Sequence, residues 1–196
     1  MKTLASLLFL VFVLAGCKQR CSVLRNHPLA AFMFVEPNVE RMKLGDSLRL
    51  KIMIPYKSIR QDNGEEIDVR TSSISTSGFD FRTINVINGV VEASGNTFSI
   101  KPIKGSFTRF NHVMIRVSYV RDTLGFVFEA WVIPTQKGLA NFANYKAEGW
   151  MNGKCDLNIF SPMVGSVNNN HHLYRNLWGP DAAFYIWENQ YYVWVE

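Results

Sequence analysis

The chain has 196 residues, 47% hydrophobic and 13% aromatic, with 21 Lys+Arg against 16 Asp+Glu and a net charge of +5. That length suits one ordinary domain with an elaboration. The charges are interspersed rather than clustered, which argues against nucleic acid and leaves room for a weak attraction to anionic headgroups.

Lys2 gives a positive start, Leu4 to Ala15 is an almost unbroken apolar run, and Leu14-Ala15-Gly16-Cys17 closes it. A run of about 12 residues is too short for a bilayer, which needs roughly 20 in a helix, so the pattern reads as a secretory leader. Cys17 directly after Leu-Ala-Gly fits a bacterial lipobox. Residues 1–16 are therefore expected to be a lipoprotein signal peptide, with Cys17 lipidated. Residues 17–26 form a short tether that anchors the protein to a membrane by lipid. Export leaves Cys21 and Cys155 in an oxidising compartment. A bridge closing a loop of about 130 residues would contribute roughly 4–5 kcal/mol. The alternative is two separate thiols, and the sequence leaves both open. No CxxC or HxxxH spacing is present, so no metal and no cofactor is expected.

The body is expected over 27–146. Leu29 to Val35 reads as a first strand stopped by Glu36-Pro37-Asn38. Leu48, Leu50, Ile52 and Ile54 alternate with Ser47, Arg49, Lys51 and Met53, the period of a half-buried strand. Gln61 to Asp68 gathers four acids but lacks calcium-loop spacing and reads as a solvated turn on Asn63-Gly64. Phe79 to Ile87 is a strand whose pattern changes phase before Ile84 and Val86, which suggests a bulge or a break. Asn88-Gly89 is a hairpin signal. Thr97 to Ile100 makes a short strand, punctuated by Pro102 and Gly105. His112 to Val120 alternates again. The strand from Phe126 to Ile133 is apolar on both faces except at Glu129, so it is expected to sit between two covered surfaces. Pro134 to Gly138 turns the chain into Leu139–Tyr145. Strands of this length with turns about every ten residues predict a mainly β protein, an antiparallel immunoglobulin-like β-sandwich.

Residues 147–196 read as an irregular C-terminal extension packed on the sandwich, since about fifty residues alone bury too little core. Asn168-Asn169-Asn170 precedes His171, and Leu173 with Leu177 is an i, i+4 pair, which predicts a short helix. Ala183–Glu188 and Tyr191–Val195 suggest a closing hairpin. Trp178, Tyr185, Trp187, Tyr191, Tyr192 and Trp194 crowd this tail. Trp178, Tyr185, Trp187, Tyr192 and Trp194 are candidate binding residues, a stacking platform for sugar rings or an anchor for a protein partner. The other reading is that these aromatics seal one end of the sandwich. His171-His172 invites a metal or catalytic role, but adjacent residues point apart and no acid completes a motif. Gly-x-Ser-x-Gly and phosphate-cradling glycine loops are absent.

The lipobox, the Gly45-Asp46-Ser47-Leu48-Arg49-Leu50 strand entry, the Pro134 to Gly138 turn, Gly153-Lys154-Cys155 and the Asn168–Asn170 run leading to Leu173 appear in a definite order. Together they resemble exported lipoproteins of Bacteroidota. Ser47 and Arg49 depart from that group, where Thr and then Trp are usual, and Leu139 and Ala140 stand where a Tyr often follows the turn. The resemblance implies an exported lipoprotein with a β-rich body and brings no activity or catalytic residue. Surface-displayed lipoproteins of that group usually carry acids after the lipidated cysteine, whereas Lys18-Gln19-Arg20 is basic. The expected address is therefore the periplasmic face of the outer membrane. By analogy with the enterobacterial sorting rule, the absence of Asp at position 18 argues against inner-membrane retention. The sequence reading is a lipid-anchored envelope protein that binds a protein partner or a glycan without catalysis. Two alternatives stand beside it: an envelope hydrolase using His171 or His172 with an acid brought close by folding, and a structural envelope component without a ligand.

Overall fold

The computed structural model describes residues 31–59, 64, 66–71, 73–87, 90–95, 97–111, 114–151, 155–159, 163–164, 170–178 and 190–196. The chain runs β1 (Phe32–Glu36), β2 (Arg41–Met42), β3 (Leu48–Pro55), β4 (Lys57–Ile59), β5 (Glu66–Asp68), β6 (Ser73–Ile87), β7 (Val90–Ser94) and β8 (Phe98–Lys104). It continues through β9 (Ser106–Arg109), β10 (Met114–Ser118), β11 (Val120–Arg121), β12 (Gly125–Pro134), β13 (Gly138–Met151), β14 (Cys155–Ile159) and β15 (Met163–Val164). One helix, α1 (His171–Trp178), and a last strand, β16 (Gln190–Val195), complete the described elements.

Two sheets face each other. The first has the order β15-β1-β3-β12, with β11 and β8 both lying along the far side of β12. The second has the order β2-β16-β13-β6-β10-β9, with β14 on β13 and β7 on β6. The β4–β5 ribbon is a separate two-stranded sheet, with Lys57 opposite Asp68 and Ile67 packed against the cluster of Ile54 and Phe126. Among the described residues the ladders are antiparallel except β1–β15 and β16–β2, which are parallel. This is the expected β-sandwich, and its inner faces are built by period-two patterning. Leu48, Leu50 and Ile52 of β3 join Met33 and Val35 of β1 and Phe128, Ala130 and Val132 of β12 in the core. The facing layer supplies Phe79, Phe81, Ile115, Val117, Ala140, Phe142, Tyr191, Val193 and Val195. Phe142 lies between the rings of Phe81, Phe98 and Tyr191, with centroids 5.2–5.9 Å apart.

Several sequence expectations are met closely. The β6–β7 ladder places Ile87 opposite Val90, and the expected hairpin residues Asn88-Gly89 themselves lie outside the described residues. The phase change at Ile84 has another cause than the bulge expected there. The β6–β13 register is continuous from Phe79 to Ile84, and Ile84 points to the outer face of the second sheet, where it packs with Leu139, Tyr174 and Tyr192. The strand is apolar on both sides there because a helix covers its outer side. Pro102 lies inside β8, on a strand that pairs on one side with β12. Gly105 makes the corner by which the chain leaves the first sheet for the second, at φ +80°. A Cβ there would come within 2.3 Å of the Ser118 carbonyl oxygen. The division between 146 and 147 falls inside β13, and β16 lies between β13 and β2 as an inner strand of the second sheet. The Ala183–Glu188 arm of the expected hairpin lies outside the described residues.

Candidate interaction surfaces

β16 alternates about its sheet. Tyr191, Val193 and Val195 enter the core, while Tyr192 and Trp194 face outward beneath α1. The helix covers them with Leu173, Tyr174 and Leu177, spaced to form one apolar stripe. Tyr192 is 1% exposed and its hydroxyl donates to the side-chain oxygen of Gln190. Trp194 is half-buried. The packing reading therefore holds at Tyr192, which is not a surface platform. Trp178 closes α1 and its side chain lies outside the described set, as do Tyr185 and Trp187 entirely. Cys155 opens β14, while Cys17 and Cys21 also lie outside the described residues.

The helix entry is tied to the loop between β1 and β2. Asn170 adopts φ +56°, a conformation Asn tolerates. Its side-chain amide donates to the carbonyls of Val39 at 2.8 Å and Tyr192 at 2.9 Å, so it ties the β1–β2 loop to β16. Tyr191 Oη donates to the Val39 carbonyl and accepts from the Val39 N–H, at 3.0 and 3.1 Å. Burial pushes the Tyr191 hydroxyl up from its ordinary pKa, with its hydrogen bonds pulling the other way.

The two histidines diverge, as adjacent residues must. His171 Nε2 lies 3.1 Å from the Gln190 carbonyl oxygen, and its ring meets Tyr192 edge-on. His172 Nε2 lies 3.3 Å from Glu40 Oε1, with both side chains about half exposed. Among the described residues no three His, Cys, Asp or Glu side chains converge on a point where a metal ion would sit.

Two exposed aromatics stand outside these clusters. Phe110, at the end of β9, is 57% exposed, and the Arg116 guanidinium sits over its ring at 4.3 Å. Trp131 is 40% exposed at the middle of β12, so the expected double cover of that strand holds at Val127 and Glu129 and fails at Trp131. In register, Trp131 lies between Arg49 of β3 and Lys101 of β8. One ladder step away, Glu129 is buried and bonded to the Arg49 guanidinium at 2.5 Å. Sequence patterning pointed to neither aromatic. The exposure of Trp131 depends on what lies across the sheet, and Phe110 lies in a segment with no repeating pattern.

No protein-family model and no curated protein matches the chain. Two solved structures overlap it in outline. One is a cohesin module from a Clostridium perfringens family 33 glycoside hydrolase, 9% identical over 69% of this chain and 99% of that one, at a TM-score of 0.38. The other is a non-cellulosomal cohesin from the hyperthermophilic archaeon Archaeoglobus fulgidus, 8% identical over 76% of this chain and 98% of that one, at 0.33. Overlap at that level assigns no role to this chain.

Proposed function

We propose that the protein is a lipid-anchored component of the bacterial cell envelope that works by holding a protein partner rather than by catalysis. Cys17 would be the lipidated residue, and the address would be the outer membrane on its periplasmic side. The apolar leader closed by Leu14-Ala15-Gly16-Cys17 and the basic residues after it support that address. The resemblance to lipoproteins of Bacteroidota adds to it. No helix among the described residues is long and apolar enough to cross a membrane.

The observation that carries the binding reading is Phe110, exposed and held under Arg116. An aromatic ring fixed by a guanidinium loses little freedom on contact, and aromatics and arginines dominate binding hot spots. A protein is favoured over a glycan because Tyr192, part of the expected sugar-stacking surface, is under a helix. The His172–Glu40 pair is about half exposed on both sides and sits at the surface rather than in a closed cleft. It gives the hydrolase alternative no support.

A photo-crosslinking residue placed at position 110 tests the reading in growing cells. It is expected to trap one discrete envelope protein, and Phe110→Ala and Arg116→Ala should each weaken recovery of that partner in a pull-down at unchanged melting temperature. Crosslinks no different from those at an exposed loop position such as 124 would refute it. Clickable fatty-acid labelling, compared with Cys17→Ala, tests the anchor separately.

A further inference from the structure

The outer face of the first sheet is amphipathic. β1 sends Met33 and Val35 into the core and leaves Phe32 and Phe34 half-buried on the outside, their rings 6.3 Å apart. Phe34 is opposite Lys51, and Trp131 is flanked by Arg49 and Lys101. The buried acid of this face, Glu129, is neutralised by Arg49. Lys51 and Lys101 pair with no carboxylate among the described residues. Lys51 lies across the ladder from Glu129 and helps to hold the Asp122 carboxyl down, but neither lysine is in an ion pair, so the face offers aromatic rings with cations beside them.

We infer that this face rests on an anionic lipid surface, with Trp131 at headgroup depth and Lys51 and Lys101 against the phosphates. Tryptophan settles at membrane interfaces because its ring is apolar and its N–H is polar. Each lysine near an anionic surface favours contact independently of any pocket. The chain enters this sheet at β1, whose outward residues belong to the face. The roughly 15 residues between Cys17 and Phe32 reach at most about 50 Å, enough to let the sheet lie down beside an anchor. The inference shares the membrane address with the proposed anchor but needs no acyl chain. Phe110 and Arg116 belong to the second sheet and its edge, so membrane contact leaves the proposed partner site free.

The test uses the full chain with vesicles carrying brominated acyl chains, either neutral phosphatidylcholine or phosphatidylcholine mixed with phosphatidylglycerol. The chain has five tryptophans, so the Trp131 signal is the difference between the native chain and Trp131→Phe. That signal is expected to be quenched on the anionic vesicles and much less on the neutral ones. Lys51→Gln and Lys101→Gln should each lower the anionic preference about five-fold, and added salt should abolish it. A Trp131 signal indifferent to lipid charge, or one altered only by adding envelope proteins, would overturn the inference. An acyl anchor alone holds the chain on both vesicle types, so loss of the anchor reads out on neutral vesicles and loss of the face reads out on the charge dependence.

Discussion

Glu129 is a residue where polar chemistry is tightly constrained. It is 2% exposed on the outer side of β12, and the Arg49 guanidinium bonds its Oε1. Removing one member of a buried pair leaves the other uncompensated. Arg49→Ala is therefore expected to lower the stability read by urea unfolding by about 2–3 kcal/mol, less than for a sealed pair because Arg49 itself is half exposed. Glu129→Gln keeps an acceptor for Arg49 and buries no charge, so it should cost roughly 1 kcal/mol. The opposite ranking would mean that the arginine only lies over the acid without compensating it. At the sandwich surface, Lys104 bonds Asp122, which holds the Asp122 carboxyl below its ordinary value and the Lys104 ammonium above its own. A depressed carboxylate stabilises the fold above its unfolded pKa, and that contribution fades as pH falls through the folded value. Carboxyl NMR titration should place Asp122 below the usual aspartate range, and Lys104→Met should bring it back up. Neither pairing was legible in the sequence, since Arg49 and Glu129 are far apart in the chain and meet only because β3 pairs with β12. The alternation that buries Leu48, Leu50 and Ile52 was legible, because it is written within eight residues.

Among the elements, α1 and the corner at Gly105 show where local signals succeed and where they stop. Eight residues are too few to hold a helix in water, so α1 depends on its apolar stripe lying on Ile84, Leu139 and Tyr192. Its existence followed from Asn170 and the Leu173–Leu177 pair. Its berth did not, and the phase change at Ile84 was the trace of that berth, more easily taken for a bulge than for a covering helix. The tail aromatics left two readings open in the sequence, and packing is the one that holds at Tyr192. Tyr192 and Trp194 alternate with Tyr191 whichever face is wet, and only α1 decides that the outer face is covered as well. Gly105 was legible as punctuation, but its reason is tertiary. β8 pairs with β12 in one sheet and β9 pairs with β10 in the other, and the backbone turns between them hard against Ser118. A side chain there meets both a left-handed φ and a carbonyl oxygen. Gly105→Ala is expected to destabilise the protein by roughly 2–3 kcal/mol in a urea titration. Gly45→Ala, also at positive φ but with open space around its Cβ, should cost about 1 kcal/mol. Equal costs at the two glycines would mean that the corner relaxes and the close approach to Ser118 does not constrain it.

At the scale of the whole molecule, the second sheet is closed by the last residues of the chain. β16 pairs along Gly138–Ala143 of β13 and carries β2 on its other side through Trp194 and Val195. Three of its residues fill the core, two lie under α1, and the Tyr191 hydroxyl holds Val39 in the loop between β1 and β2. The Leu44 N–H donates to the Glu196 carbonyl, and Arg41 pairs with the Glu196 carboxylate. The two ends of the described chain are thus joined through one strand, by contacts of long sequence separation whose closure carries a high entropic cost. Deleting residues 190–196 would leave vacancies where Tyr191, Val193 and Val195 sit and expose the edge of β13 across Gly138–Ala143. Buried aromatics and aliphatics cost about 2–5 kcal/mol each to truncate, so losing several together exceeds the whole stability of a typical domain. The shortened chain is expected to show no cooperative melt by circular dichroism, to be cut rapidly by thermolysin and to aggregate through the bared strand. Supplying residues 190–196 as a synthetic peptide tests whether the defect is the missing strand. Restored protease resistance with Tyr191 in the peptide, and none with Tyr191→Ala, would show that the strand acts through the core it fills. A cooperative melt in the truncated chain without any peptide would show instead that the sandwich closes without β16.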